Sequence, residues 1–143
     1  MPDATVSEVM EAVEAVGAEA LAARLGGLGA RVRPGDLSAG GKQLIALARA
    51  YLSPAPLVVL DEATCFLDPE AERRAEEAFA ARGGTVILIA HRISSALRAR
   101  RILVLDGNKA AIGNHTTLLR SSRLYRVLLG HWQPGGDQIQ PAS

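Results

Sequence analysis

Three short apolar runs constrain the fold of this chain more than any other feature of its sequence. They are "LVVL" at residues 57–60, "TVILIA" at 85–90 and "RILVL" at 101–105. Short apolar runs bounded by turn residues are typical of strands covered on both faces, as in a parallel sheet. They are far too short to span a bilayer. Because helical segments separate them, the sequence predicts an α/β fold with a mainly parallel sheet.

Two helices are predicted before the first strand. Residues 6–25 are rich in alanine and repeat apolar residues at near-helical spacing. They therefore predict one helix, which Asp3 or Thr5 would cap. Glycines and a proline mark residues 26–36 as a loop. The next helix is predicted over residues 38–52, where two prolines follow it.

The second half of the chain continues the alternation of helix and strand. Asp68 followed by Pro69 predicts an N-cap and a first helical residue, and the glycines at 83–84 predict the end of that helix. Its charged stretch, which includes Glu72 and Glu76, predicts a solvent-exposed helix face. Three further helices and a hairpin are predicted, at "ISSALRA", residues 115–120, residues 122–130 and the turn "DGN" leading into "KAAIG".

Composition excludes several classes of protein. With 143 residues, 48% of them apolar and 22% charged, the chain is long enough for one globular domain. A net charge of +1 provides no strong attraction to nucleic acid or acidic lipid, so no nucleic-acid partner is expected. A single cysteine excludes an internal disulfide framework, and the N-terminus shows no secretory signal.

Polar residues at the ends of the predicted strands form the candidate site. Asp61 and Glu62 close the first strand and His91 closes the next, at the sheet edge where functional groups gather in such folds. Ser38 begins a helix, and Asp68 follows Glu62 by six residues. Each feature alone has a structural explanation, because acids follow strands where a chain surfaces and serines cap helices. The ordered combination of the five is what points to chemistry.

This combination resembles the ATPase domain of ABC transporters, in its C-terminal part. "LSAGG" (37–41) is similar to the signature Leu-Ser-Gly-Gly-Gln, and "LVVLDEAT" resembles the Walker B strand. "CFLD" (65–68) matches the D-loop pattern Ser-Ala-Leu-Asp, and "AHR" (90–92) matches the switch-histidine loop. "RILVLDGNKAAIGNHTTLL" resembles the C-terminal hairpin and helix of the family. The resemblance covers about residues 3–130 and is closest to exporter-type members.

The resemblance implies an incomplete P-loop NTPase (ABC ATPase) fold that lacks its N-terminal half. Residues 1–52 would be a remnant of the helical subdomain, residues 53–132 the C-terminal part of the RecA-like core, and residues 133–143 a flexible tail. The implied partners are another ABC ATPase domain in a head-to-tail dimer and a transmembrane transport domain. The implied location is cytoplasmic, at the inner face of the cell membrane when assembled.

The resemblance also implies catalytic roles for three residues in hydrolysis of ATP with Mg²⁺. Asp61 would hold the Mg²⁺ ion, and Glu62 would be the general base that activates water. His91 would reach the γ-phosphate and align Glu62. These roles agree with phosphoryl transfer to water, which needs a metal to neutralise charge and a carboxylate to orient the nucleophile.

A second group of residues is implied to contact the nucleotide that the opposite subunit holds. Serine and glycine amides at a helix N-terminus make an anion site, which would grip the γ-phosphate. Gly41 departs from the family's glutamine, and Ala39 from a glycine. The implied nucleotide contacts are Ser38, Ala39, Gly40, Gly41 and Asp68.

The 143 residues contain no phosphate-binding loop of the form G-x-x-x-x-G-K-[ST]. Of the two lysines, Lys42 precedes Gln43 and Lys109 precedes Ala110, so neither fits. The loop would have to come from a partner or from upstream sequence, and the isolated chain is predicted not to hydrolyse ATP. In the family, the strand before the phosphate-binding loop lies between the strands that match "TVILIA" and "RILVL". This chain shows no such strand, so those two strands lack their common neighbour. We therefore expect marginal stability alone, or a partner that supplies the missing half.

Three hypotheses remain open on the sequence. The first is a C-terminal portion of an exporter ATPase domain, as a split product or as a gene whose start has been placed too far downstream. The second is a non-catalytic interaction or regulatory module that docks on a complete ABC ATPase. The third is an unrelated α/β domain with chance motifs. Transport substrate is not readable from any of them.

Overall fold

The computed structural model describes residues 4–132, in a first unit, Met1–Ile89, and a second unit, Ala90–Ser143. The first unit contains α1 (Val6–Ala15), α2 (Glu19–Arg24), a 3₁₀ turn (Pro34–Asp36), α3 (Ala39–Leu52), β1 (Leu57–Asp61), α4 (Pro69–Ala81) and β2 (Thr85–Ile89). The second unit contains α5 (Ile93–Arg98), β3 (Ile102–Asp106), β4 (Lys109–Gly113), α6 (His115–Ser121) and α7 (Arg123–Trp132). Asp3 and the predicted tail at 133–143 lie outside the described residues.

The α/β class is confirmed, with a small sheet in each unit. β1 and β2 are parallel neighbours, and β3 and β4 form an antiparallel hairpin. The predicted division of the chain after residue 52 stays a prediction. Within residues 4–132, no helix is both long enough and apolar enough to cross a membrane.

The single helix predicted over residues 6–25 is wrong, because the chain breaks it at Gly17. α1 ends at Ala15, Gly17 takes φ 78°, and α2 begins at Glu19. Glycine tolerates this left-handed conformation, whereas a side chain there would be strained. A Cβ on Gly17 would also lie 3.1 Å from the Arg74 side chain. The alanine-rich composition predicted helix on both sides of the break and concealed the break itself.

The predicted helix starts are confirmed where a capping side chain is present. Thr5 and Glu8 form a reciprocal capping box at α1, in which Thr5 N donates to the Glu8 carboxylate at 2.7 Å. Ser38 Oγ accepts a hydrogen bond from Gly41 N at 3.0 Å at the start of α3. Asp68 Oδ1 accepts from two first-turn amides of α4 at 3.0 Å each, with Pro69 at the first helical position.

One face of the β1–β2 sheet packs on helices and the other is exposed. Val58 and Leu60 join a buried cluster with Leu47 of α3 and Phe79 of α4. Alternate residues face the opposite way, and each is exposed over roughly half of its surface: Leu57 (49%), Val59 (55%), Ile87 (48%) and Ile89 (45%). The prediction that both faces are covered is therefore wrong for the part of the chain that the structure describes.

The charged stretch of α4 is only partly on the surface. Glu72 and Glu76 are buried, contrary to the prediction that they lie on the solvent-exposed face. The exposed charges are instead centred on Arg73, which bridges Glu70 and Glu77 at 2.5 Å each. Spacing along a helix predicts which residues share a face, but neighbouring elements determine which face is covered.

The second unit is built around the hairpin and the two helices that follow it. Gly107 turns the hairpin with φ 57° at the predicted "DGN". Val104, Leu118 and Tyr125 form its buried cluster. The Tyr125 hydroxyl lies 2.8 Å from His115 Nδ1, and burial raises the pKa of this tyrosine above its ordinary value. These contacts place His115 in a structural role between α6 and α7.

Candidate functional site

The turn that follows β1 presents the two predicted acidic residues. Asp61 is the last residue of the strand and Glu62 follows it, and both are exposed. Glu62 has φ 49°, and no other non-glycine residue within 4–132 has a positive φ. The left-handed conformation costs a residue with a Cβ roughly 1–2 kcal/mol. Such backbone outliers concentrate at functional sites, where the surrounding structure holds them in place.

Gln43 of α3 holds this turn with its side-chain amide. Its Nε2 donates to the Glu62 carbonyl oxygen at 2.8 Å and to Cys65 Sγ at 3.1 Å. Phe66 N–H donates in return to Gln43 Oε1 at 2.9 Å. Sequence reasoning missed Gln43. The signal that was available is a polar residue four positions before buried Leu47, on the apolar face of α3.

A cavity of about 280 Å³ in the first unit brings two of the predicted motifs together. Ser38, Gly40 and Gly41 from the start of α3 line it, as does Asp68 from the start of α4. Gly40 is required by the close approach of the two segments. A Cβ at this position would lie 3.0 Å from the Phe66 carbonyl oxygen, a backbone atom that can move only with the turn.

The cavity contains hydrogen-bond donors of the kind that bind anions. The Gly41 amide donates to Ser38 Oγ, whereas helix geometry provides no intrahelical acceptor for the amides of Ala39 and Gly40. The helix dipole adds partial positive charge at this end. Arg24 lines the same cavity and contributes a full positive charge. The Asp68 carboxylate, which also lines it, is engaged in capping α4.

His91 belongs to the second unit, where it lies two residues before α5. Its predicted contact with Glu62, a residue of the first unit, stays a prediction. Within the first unit, the structure does bring together the helix start at Ser38 and Asp68, the last residue of the predicted D-loop. Asp61 ends β1 and Glu62 begins the turn after it. Hydrogen bonds between the Gln43 side chain and the backbone of Glu62 and Phe66 connect this turn to α3.

Asp61 and Glu62 are suited to a Mg²⁺ ion that substrate phosphates and water also bind. They are less suited to a metal ion bound by protein side chains alone. Among residues 4–132 there is no group of three or more His, Cys, Asp or Glu side chains that could hold a metal ion. Mg²⁺ is commonly held by one or two carboxylates together with substrate phosphates and water. An exposed Asp61 at a strand end fits that chemistry.

Known proteins share these motifs and this fold. Residues 1–65 match the sequence profile of the family described as ABC transporter. Over 130 residues, 91% of this chain, the sequence is 60% identical to the "ABC transporter ATP-binding protein RamB" of Streptomyces coelicolor. Both matches are to ABC transporter proteins, and the second is named as an ATP-binding one. This confirms the resemblance and removes the hypothesis of an unrelated α/β domain with chance motifs.

Other proteins that the chain resembles are exporters or flippases by name. It is 47% identical over 95 residues to the "ATP-dependent lipid A-core flippase" of Burkholderia thailandensis, covering 64% of this chain and 16% of the flippase. The solved "Structure of a bacterial Atm1-family ABC exporter with ATP bound" matches 92% of this chain and 24% of that one, with a TM-score of 0.80 and 33% identity. The family uses ATP with Mg²⁺. This chain spans about a fifth (21%) of the length of RamB.

Proposed function

We propose that this ABC ATPase chain provides one side of an ATP-hydrolysing site that powers export across a membrane. The observation that carries the proposal is the cavity at which the start of α3 meets the D-loop. Two motifs separated by more than twenty residues line one cavity, and the turn bearing Glu62 is hydrogen-bonded to the same helix. The exported substrate would be determined by membrane helices elsewhere.

Glu62 is the proposed general base. Glu62 lies directly after β1 and itself adopts the left-handed backbone conformation. Its exposed carboxylate would orient a water molecule and accept its proton. Asp61 would hold Mg²⁺, which when bound neutralises charge on the phosphates. Hydrolysis of a phosphoanhydride needs little covalent chemistry from the protein, so the placement of these two carboxylates is the main contribution of the turn.

The start of α3 is the proposed phosphate contact. The amides of Ala39 and Gly40, with the Ser38 hydroxyl, would donate to the γ-phosphate of ATP held by the opposite subunit. Gly41 contributes indirectly, because its amide holds Ser38 Oγ in place. Asp68 caps α4 at the same cavity and would transmit changes across the subunit interface.

His91 is proposed to complete the site when the domain is assembled. Its imidazole would contact the γ-phosphate and align Glu62. The assembly would contain a second ABC ATPase domain, arranged head to tail, and a transmembrane transport domain. The site would then lie in the cytoplasm at the inner face of the membrane. No nucleic-acid partner is proposed.

The proposal predicts no ATP turnover by the 143-residue chain alone, since it contains no phosphate-binding loop. The test compares phosphate release from Mg·ATP by the chain, by a complete exporter ATPase domain that carries such a loop, and by their mixture. We expect extra turnover in the mixture that falls to a small residual rate with Glu62→Gln and is retained with Glu11→Gln, an exposed glutamate of α1. Magnesium-dependent turnover by the chain alone that Glu62→Gln abolishes would contradict the predicted inactivity.

A second candidate function is a non-catalytic module that docks on a complete ABC ATPase. The exposed apolar face of the β1–β2 sheet, centred on Val59 and Ile87, favours it because such faces mark interaction surfaces. This reading predicts that the mixture changes turnover equally with the parent chain and with Glu62→Gln. Loss of the effect with Val59→Lys, in the same assay, would then locate the docking surface.

A further inference from the structure

Gln43 makes an unusual contribution to the turn. The nitrogen and the oxygen of its side-chain amide each form a hydrogen bond with a backbone atom of the turn. The donor end meets the carbonyl of Glu62, and the acceptor end meets the amide of Phe66. These partners lie 19 and 23 residues away in sequence. The observed orientation pairs each donor with an acceptor, whereas a flipped amide would set donor against donor. The side chain therefore spans the start and the end of the turn.

We propose that Gln43 is a positioning residue for Glu62, which acts by holding the turn from Glu62 to Phe66. The inference rests on the proposed function of Glu62 as general base. A residue with a Cβ leaves the left-handed region unless other bonds hold it there. The Glu62 carbonyl also accepts from Cys65 N, but over 3.4 Å, so the 2.8 Å bond from Gln43 is the shorter of the two.

The identity of the side chain matters to this role. A leucine at position 43 would keep the apolar contacts of α3 and lose all three hydrogen bonds of the amide, to the Glu62 carbonyl, Cys65 Sγ and the Phe66 amide. A glutamate would keep an acceptor for the Phe66 amide and lose the donor to the Glu62 carbonyl. Comparing the two substitutions therefore separates the effect of the bond to Phe66, at the end of the turn, from that of the bond to Glu62, at its start. The leucine variant keeps the packing of the side chain while both of these bonds are lost.

The first measurement is amide hydrogen exchange by NMR on the full chain, with circular dichroism to verify folding. For Gln43→Leu we expect the Phe66 amide to exchange roughly threefold to tenfold faster, the loss that corresponds to one hydrogen bond. For Gln43→Glu we expect Phe66 to stay protected while the backbone coupling of Glu62 changes. Arg49→Gln, an exposed position on the same helix, is the matched control and should change neither.

The second measurement is ATP turnover in the mixture with a complete exporter ATPase domain. Both Gln43 variants should lower kcat roughly tenfold to hundredfold, because a misplaced base slows the chemical step, with KM for ATP within about twofold. In a Glu62→Gln background they should have no further effect, since Gln43 acts through Glu62. A loss of stability alone would reduce turnover in both backgrounds.

The two measurements distinguish failure of the inference from failure of the proposed function. Unchanged Phe66 exchange and Glu62 coupling in Gln43→Leu would overturn the positioning role. A further loss of kcat in the Glu62→Gln background would also overturn it. A parent mixture without any turnover that depends on Glu62 would overturn the proposed function and the catalytic part of the inference, leaving the exchange result as a statement about the turn.

Discussion

The two units of the chain hold their turns and helix ends in place over different distances in sequence. In the first unit, Gln43 bonds to a turn 19 to 23 residues away, and Arg82 bonds to the Tyr51 carbonyl of α3 and to the Ala55 carbonyl beyond it, 31 and 27 residues away. In the second unit, His115 meets Tyr125 ten residues away, and Arg126 bonds to the Leu119 carbonyl seven residues away. The candidate site of the first unit therefore depends on tertiary packing more than the hairpin and helices of the second.

Among the variants that test this difference between the units, removal of the Phe79 side chain is expected to lower stability most. Phe79 is fully buried in the first unit and meets the Tyr51 ring edge-on, with centroids 5.7 Å apart. Phe79→Ala should lower the free energy of unfolding by about 3–5 kcal/mol, as expected for a large core cavity. Urea unfolding measures it, with amide exchange at Val58 and Leu60 as the local readout. Phe66→Ala is the control, since Phe66 is 66% exposed. An effect below about 1 kcal/mol would contradict the central place of Phe79.

Removing the Asp68 cap should weaken the first unit by a smaller amount. Asp68→Ala leaves two first-turn amides of α4 without their acceptor and should cost about 1 kcal/mol. Asp68→Asn keeps a capping oxygen and should cost much less. The comparison of the two variants in chemical unfolding separates the cap from the charge. Equal losses would show that the carboxylate charge, rather than the cap, is what stabilises α4.

Tyr125→Phe tests the second unit. The variant keeps the buried ring and removes the hydroxyl that lies 2.8 Å from His115 Nδ1, so we expect a loss of about 0.5–1.5 kcal/mol. Thermal unfolding measures it. Tyr51→Phe in the first unit is the control, because the ring contact with Phe79 remains. A Tyr125→Phe variant more stable than the parent would show that burying the hydroxyl costs more free energy than its contact with His115 contributes.

The smallest effect expected is a pH dependence from the α1 capping box. The Thr5 amide and hydroxyl lower the pKa of Glu8 below its ordinary value of 4.5. A lowered folded pKa contributes stability above the ordinary value, which is lost as the pH falls through the lowered one. Acid titration of stability between pH 6 and roughly pH 3 should therefore be shallower for Glu8→Gln than for the parent. Equal slopes for Glu8→Gln and the parent would contradict a contribution of the capping box.

The predictions from sequence succeeded where the cause is local. Ser38 and Asp68 were identified as N-caps because capping is a contact between residues two or three positions apart. The break at Gly17 was missed because helix propensity summed over a long window outweighs one glycine. Buried Glu72 and Glu76 were placed on the wrong side, since the face of a helix that is covered depends on elements elsewhere in the chain.

The strands, most of the helices, the caps and the carboxylates at the end of β1 follow from the amino-acid sequence, because apolar runs, capping side chains and turn residues act over a few positions. The motifs were also enough to predict the ABC ATPase family. The left-handed Glu62, its bond to Gln43, and the meeting of Ser38 with Asp68 at one cavity required the folded chain. These arrangements involve residues 19 to 30 positions apart, and their free energy depends on packing that no local pattern in the sequence records.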